Sequence, residues 1–250
     1  MRSAFLTALA LLMVLALPAR ALDLKNLTDS ERQVLRGEIR AYLLDNPQVI
    51  MDAVAVLRER DAAAQAESDT RLIAENSAAI FEDGDSWAGG NLAGDVTVVE
   101  FMDYRCGYCR RAAPDVEALI KDDGNLRFVV KEFPILGEQS LLSSRFAIAT
   151  RLVAGDAAYK SVHDALLALK GAATEAALRR IGATLGLDTP AIMDRMDSPE
   201  VNRVIADTRQ LGRKLNLNGT PAFVIGDRVL RGYMPRAEME NLVAEIRNDG

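Results

Sequence analysis

The pattern of apolar and polar positions changes twice along this chain. From residue 22 to about residue 80, apolar residues return every three or four positions, which predicts helices. Residues 28–31, Thr-Asp-Ser-Glu, have the spacing of a capping box, and Asn46-Pro47 predicts the start of a second helix. The apolar stripe is too thin to form a core by itself, so we expect these helices to pack against a partner.

That partner is either the domain that follows or further copies of the same helices. We favour self-association, with residues 22–78 as a helical oligomerisation region. The spacing departs from a heptad repeat because Asp61 stands where an apolar residue would follow Leu57. A long regular coiled coil is therefore not predicted.

A strand pattern begins after turn-forming clusters at residues 82–85 and 89–91. Residues 96–102 and 126–133 predict two buried strands, and the helix predicted between them implies a right-handed crossover. Trp87, which lies between the turn clusters, is interpreted as a packing residue.

The helical period then returns from about residue 138 to residue 217, with four apolar stripes. Strand patterns resume at residues 222–231 around a turn at Gly226-Asp227, and a last helix is predicted from about residue 235 to 247. Because the strands resume after it, the helical block at 138–217 is interpreted as an insertion. The pattern predicts an α/β domain over residues 79–250.

The first 21 residues have the composition of a secretory signal peptide. Arg2 precedes an apolar run, and Ala19-Arg20-Ala21 fits a small-x-small cleavage site. The run is too short for a spanning helix, which disfavours the alternative of a retained membrane anchor. We expect export and cleavage near Ala21.

The acidic balance of the chain argues against nucleic acid as a partner. Removing Arg2 and Arg20 from the 30 basic residues leaves 28 against 36 acidic residues, a net charge of about −8. A chain with this charge is repelled by phosphate backbones and by anionic membrane surfaces.

The chain contains only two cysteines, in Cys106-Gly107-Tyr108-Cys109, at the predicted junction of strand and helix. The Cys-x-x-Cys spacing closes a small ring, and a helix that begins at Cys106 favours the thiolate of that residue. One such pair cannot staple a fold of this size, so we interpret it as a reversible disulfide.

This site resembles the thioredoxin fold in its DsbA-like form, since Thr220-Pro221 leads into the predicted hairpin and terminal helix. The resemblance covers roughly residues 79–250. With the signal peptide and N-terminal helices included, the chain is most similar to periplasmic proteins of the suppressor-of-copper-sensitivity C (ScsC) type. The resemblance implies a thioredoxin fold with a helical insertion and a periplasmic location.

The resemblance also implies roles for the site residues. Cys106 would be the exposed nucleophile, and the more buried Cys109 would resolve the mixed disulfide. Gly107 and Tyr108 would tune the thiol pKa and the reduction potential. Pro221 matches the cis-proline of the family, which presents the backbone of Thr220 to a substrate strand.

Glu100, six residues before Cys106, matches an acidic residue that lies beneath the disulfide in the family. Burial would raise its pKa and let it exchange a proton with Cys109; alternation along the strand would also permit a solvated position. His163, the only histidine, is interpreted as a structural residue at a helix surface or core edge.

Taken together, these residues predict an exported disulfide isomerase or reductase that needs no cofactor. By resemblance its partners are misfolded or incompletely oxidised exported proteins and a membrane thiol reductase. Three alternatives remain open: a monomeric DsbA-type oxidase, a copper-stress protein that holds Cu(I) on the two thiolates, and a structural scaffold. With one histidine and no second Cys-x-x-Cys, no closed zinc site is predicted, and no metal site is assigned.

Overall fold

A computed structural model describes residues 25–249 of the protein. The predicted signal peptide at residues 1–21 lies outside the described residues. The chain divides into two compact units between Asp61 and Ala62. Residues 62–78, which the sequence pattern groups with the N-terminal helices, therefore belong to the unit that contains the sheet.

The N-terminal unit is helical, as its apolar period predicts. Helix α1 spans Asp29–Asp45 and begins with the predicted capping box, in which Thr28 and Glu31 hydrogen-bond each other's backbone N–H groups. Helix α2 follows at Gln48–Glu75 and continues into the second unit. Helix α1 contains no buried residue.

The second unit is built on one mixed sheet within residues 25–249. Its strands are β1 (Trp87–Gly90), β2 (Val96–Met102), β3 (Leu126–Glu132), β4 (Ala222–Ile225) and β5 (Arg228–Arg231). They lie side by side in the order β1-β3-β2-β4-β5. Strands β2 and β3 are parallel, as the predicted crossover requires, and the other neighbours are antiparallel.

Helices cover this sheet and supply the insertion. They are α3 (Ser77–Phe81), α4 (Gly107–Asp123), α5 (Glu138–Ala168), α6 (Glu175–Thr184), α7 (Thr189–Arg195), α8 (Pro199–Lys214) and α9 (Arg236–Asp249). Helices α5 to α8 fill the predicted insertion between β3 and β4. The first two apolar stripes of that insertion lie on the single long α5, which is interrupted where Gly155 has a φ of 83°.

Both faces of the central strands are buried. Val98 and Met102 pack into the larger core with α4 and α5, whereas Val99 and Phe101 pack into a second core with Ile73 of α2. Because neither face of β2 is solvated, Glu100 is buried by the same packing that covers its neighbours. A strand pattern with both faces covered is typical of a sheet that carries helices on each side.

Two features differ from the sequence prediction. Strand β1 was not predicted, because Trp87–Gly90 is short, rich in glycine and located among turn-forming residues; it pairs with β3 at the edge of the sheet. Helix α7 was not predicted as a separate element either, although Asp188 caps it and Pro190 lies in its first turn.

Among residues 25–249, every helix is too short or too polar to cross a membrane.

Candidate active site

The two cysteines lie where strand β2 gives way to helix α4. Cys106 is the N-cap of that helix, and its Sγ accepts a hydrogen bond of 3.4 Å from the backbone N–H of Cys109. Both residues are free thiols in this structure. The helix start predicted from the motif is therefore confirmed, and it aims the first N–H groups of α4 at the Cys106 sulfur.

Both cysteines are buried. Cys106 keeps 7% of its surface exposed and Cys109 keeps 1%. The prediction that Cys106 is exposed is therefore wrong, although Cys106 is the more accessible of the two. The adjacent side chain Tyr108 is 60% exposed. Gly107 has open space around the position of a Cβ, so close packing does not require glycine there.

The two thiols have strongly different acidities. The hydrogen bond from the Cys109 side chain, together with N–H groups of Tyr108 and Cys109, lowers the pKa of Cys106 to about 5. The same thiol pair and burial raise the pKa of Cys109. At neutral pH Cys106 is therefore a thiolate and Cys109 a thiol, which is the division of labour that thiol exchange needs.

The loop before β4 faces the Cys106 sulfur. The Thr220-Pro221 peptide bond is cis, as predicted. The Cys106 thiol donates a 3.0 Å hydrogen bond to the carbonyl oxygen of Thr220. The Thr220 hydroxyl oxygen is buried without a hydrogen-bond partner among the described residues, which leaves it available to the Cys106 sulfur, and the Thr220 side chain contributes to the lowered pKa of Cys106.

Glu100 lies beneath the thiols on β2. It is 5% exposed, which agrees with the buried position and not with the solvated alternative. Burial, and then the negative charge of Cys106, raise the pKa of Glu100 to about 8. Glu100 also lines a cavity of about 290 Å³ between α4 and α5, together with Val116, Phe128 and His163.

A cluster of buried polar groups beside the site was not anticipated as functional. The hydroxyls of Tyr104 and Tyr159 each donate a 2.7 Å hydrogen bond to Oε1 of Glu132, and Nδ1 of His163 lies 3.1 Å from the Tyr104 hydroxyl. His163 is 6% exposed, so it lies at the edge of the core and not at the helix surface. The signal in the sequence was Lys131-Glu132, two charged residues inside an otherwise apolar strand pattern.

Asp103 fixes the other side of the same loop. Its carboxylate accepts hydrogen bonds from the backbone N–H groups of Arg105, Ile135 and Leu136. Within the described range, His, Cys, Asp and Glu side chains do not gather in any group of three or more that could hold a metal ion.

Comparison with known families agrees with this geometry. A family model described as a DSBA-like thioredoxin domain matches residues 97–247. A second model, described as the copper resistance protein ScsC N-terminal domain, matches residues 31–64.

Solved structures show the same fold. A thioredoxin-like oxidoreductase from Silicibacter pomeroyi is 40% identical with a TM-score of 0.65, covering 68% of this chain and 97% of that one. BcfH from Salmonella enterica is 26% identical with a TM-score of 0.73, covering 87% of this chain and 96% of that one. The second match extends beyond the sheet-containing unit.

Curated relatives match over shorter stretches. The thiol:disulfide interchange protein DsbA of Burkholderia cepacia is 27% identical over 56% of this chain and 67% of that protein. Two Na⁺/H⁺ antiporters NhaA of Salinispora tropica and Salinispora arenicola are 30% and 31% identical over 53% of this chain. The chain spans about a fifth of the length of those two antiporters.

Proposed function

Because the chain belongs to the DsbA-like thioredoxin domain family of thiol-disulfide exchange proteins, we propose that it is an exported disulfide isomerase or reductase that acts on proteins. The observation that carries this proposal is the thiol pair itself. Cys106 has a pKa of about 5 beside a resolving cysteine whose pKa is raised.

The chemistry follows from these acidities. The Cys106 thiolate attacks one sulfur of a substrate disulfide, so a mixed disulfide forms and the other substrate sulfur leaves as a thiolate. In isomerisation, a second substrate thiolate attacks the mixed disulfide and returns Cys106 as a thiolate, with no net transfer of electrons. In reduction, Cys109 attacks Cys106, and the substrate leaves reduced while the Cys106–Cys109 disulfide forms.

Glu100 has a role in the reductive branch. Cys109 must lose its proton before it attacks, and its raised pKa makes that loss costly. A buried carboxylate with a pKa of about 8 is ionised often enough near neutral pH to accept this proton. Thr220 and Pro221 would position a substrate strand beside Cys106 through the Thr220 backbone.

The N-terminal helices support the isomerase branch of the proposal. Helix α1 buries none of its residues, and apolar side chains such as Val34, Ile39, Tyr42 and Leu44 are exposed. Ile39 and Tyr42 are three residues apart and lie on one face of α1, and exposed apolar side chains grouped in this way are typical of association surfaces. Self-association through residues 22–78 would bring several Cys106 sites to one client, while a membrane thiol reductase would keep those sites reduced.

Oxidation of dithiols is the second candidate, and the low pKa of Cys106 favours it. A stabilised thiolate favours the reduced pair and so makes the disulfide a stronger oxidant. The similarity to a DsbA of Burkholderia cepacia points the same way. The copper alternative rests on the two thiolates as possible Cu(I) ligands and on the description of the matched ScsC model.

One assay separates the two main candidates. Reduced protein is incubated with scrambled ribonuclease, and in parallel oxidised protein is incubated with reduced ribonuclease. We expect reduced protein to restore ribonuclease activity and Cys106→Ser to restore none. If only the oxidised protein acts, by forming disulfides in reduced ribonuclease, the isomerase proposal is wrong and the oxidase stands.

A further inference from the structure

Glu132 joins three parts of the fold at one carboxylate. It lies at the end of β3, is 4% exposed, and accepts hydrogen bonds from Tyr104 and Tyr159 on the same oxygen, Oε1. Tyr104 belongs to the loop that carries Cys106, and Tyr159 belongs to helix α5. None of the steps described above uses this cluster.

Counting protons fixes the direction of the remaining hydrogen bond. A tyrosine hydroxyl carries one proton, and Tyr104 gives it to Glu132 at 2.7 Å. The 3.1 Å contact with His163 is therefore a hydrogen bond in which Nδ1–H donates to the Tyr104 oxygen. Burial lowers the pKa of His163 to about 4, so the ring supplies this proton as a neutral imidazole.

Tyr104 is held at its hydroxyl by two elements and lies two residues before Cys106. Along the backbone, the carbonyl of Tyr104 accepts a 3.0 Å hydrogen bond from Arg110 of α4, and Cys106 N–H donates to the Asp103 carbonyl at 3.0 Å. A shift of the Tyr104 ring would thus be transmitted to the Cys106 sulfur. The pKa of that sulfur is lowered by hydrogen bonds from Cys109 and from the first N–H groups of α4, and by the Thr220 side chain, and such bonds weaken steeply when their geometry changes.

We propose that Glu132 is a positioning residue for Cys106: through the Tyr104 hydroxyl it holds the active-site loop in the place where the first N–H groups of α4 and Thr220 stabilise the thiolate. This inference rests on the proposed function only in taking Cys106 as the nucleophile. Tyr159, which lies on α5 and outside the loop, donates to the same oxygen of Glu132 and helps to hold that carboxyl group in place.

The two tyrosines provide a matched pair for the test. Tyr104→Phe and Tyr159→Phe each remove one 2.7 Å hydrogen bond to the same atom from a side chain that is 1% exposed. A general packing role would make the two variants equivalent. A positioning role confines the effect on the thiol to Tyr104→Phe.

The measurement is the rate at which iodoacetamide alkylates Cys106 between pH 3 and pH 8. All proteins are full length and carry Cys109→Ser, so that Cys106 is the only thiol. Thermal unfolding of each variant is the control. We expect the midpoint of the Tyr104→Phe profile to move to higher pH, with about fivefold less thiolate below the wild-type midpoint, the equivalent of one hydrogen bond. Tyr159→Phe should change it less than about twofold, and its unfolding temperature should fall less than that of Tyr104→Phe, which also leaves the Nδ1–H of His163 without its acceptor.

Equal profiles for the two variants, or no shift in Tyr104→Phe, would overturn the proposal. If Tyr104→Phe does not fold, Glu132→Leu replaces it: Glu132 has a pKa of about 7 and is neutral near the Cys106 midpoint, so Gln would mimic it, whereas Leu removes the hydrogen-bond acceptor of Tyr104. The midpoint should move the same way as in Tyr104→Phe, and an unchanged midpoint refutes the role. Alkylation needs no protein substrate. If wild-type protein fails to act on scrambled ribonuclease, the isomerase proposal is wrong. The positioning role of Glu132 is still decided by the alkylation profiles alone.

Discussion

The N-terminal helical unit and the sheet-containing unit are built from similar apolar residues but dispose of them in opposite ways. Helix α1 has an apolar period, yet every one of its residues retains solvent exposure. Strand β2 buries nearly its whole length, including the acidic Glu100. In α1 the apolar side chains remain exposed to solvent. In the sheet-containing unit the packing on both faces of β2 buries even the carboxyl group of Glu100.

The contrast separates two tasks. The thiols, the cis-proline loop and the buried carboxylates Glu100 and Glu132 belong to the sheet-containing unit, so the chemistry of exchange resides there. Residues 25–61 of the N-terminal unit offer exposed apolar side chains and contain no cysteine or histidine. We therefore expect it to decide how many active sites meet a client rather than how each site reacts, and three predictions test this division.

The largest effect is expected from charges placed on the exposed face of α1. Ile39→Glu combined with Tyr42→Glu should reduce the solution mass to that of a monomer. Because effective concentration would be lost, reactivation of scrambled ribonuclease should fall more than about tenfold. Mass is read by light scattering, and Arg40→Gln on the same helix is the control.

Alkylation of Cys106 in this double variant should match the wild type. A change in alkylation would show that the N-terminal unit affects the reactivity of Cys106, and the proposed division between the two units would then be wrong. Wild-type protein that is already monomeric would remove the association role altogether.

The second effect concerns the buried acid of the other unit. Glu100 has a pKa of about 8 in the folded protein against 4.5 for an ordinary glutamate, so between these values the folded state holds a proton that the unfolded state has released. The contribution of Glu100 to stability is therefore greatest at low pH and is lost as pH rises towards 8, by about 1.4 kcal/mol per pH unit. Cys106, whose pKa is lowered to about 5, contributes a slope of the opposite sign that wild type and a Glu100 variant share.

Glu100→Gln should remove this slope, so the variant becomes more stable than wild type as pH rises from 5 to 8. The check is urea unfolding of the reduced proteins across that range. Glu132, whose pKa is raised to about 7 chiefly by burial, adds a similar slope to both proteins and cancels in the difference. Parallel curves for wild type and variant would show that Glu100 is not the proton-binding group.

The smallest effect is expected at the loop before β4. Thr220→Val keeps the shape of the side chain but removes the hydroxyl that stabilises the Cys106 thiolate. We expect about fivefold less thiolate below the wild-type midpoint, the value of one hydrogen bond, with unfolding hardly changed. The pH profile of Cys106 alkylation measures it, and an unchanged midpoint would assign the low pKa to helix α4 and Cys109 alone.

Prediction from sequence succeeded where a pattern is local. The two central strands, the start of α4 at Cys106 and the turn at Gly226-Asp227 were all readable, because apolar alternation, helix capping and turn chemistry act over a few neighbouring residues. The position of Pro221 opposite the thiols came only with the family resemblance. Strand β1 was missed because its pairing with β3, rather than its own composition, makes Trp87–Gly90 a strand.

The sequence by itself determined the reactive chemistry of this protein: two cysteines at the N-terminus of a helix, where N–H groups favour one thiolate. Tertiary structure alone decided which carboxylates surround them. Glu100 is buried because helices cover both faces of β2, and Glu132 meets Tyr104 and Tyr159 across 28 and 27 residues of chain. Such contacts depend on packing between segments that are distant in sequence. No local pattern in β3 shows that the tyrosine hydroxyls will bind Glu132.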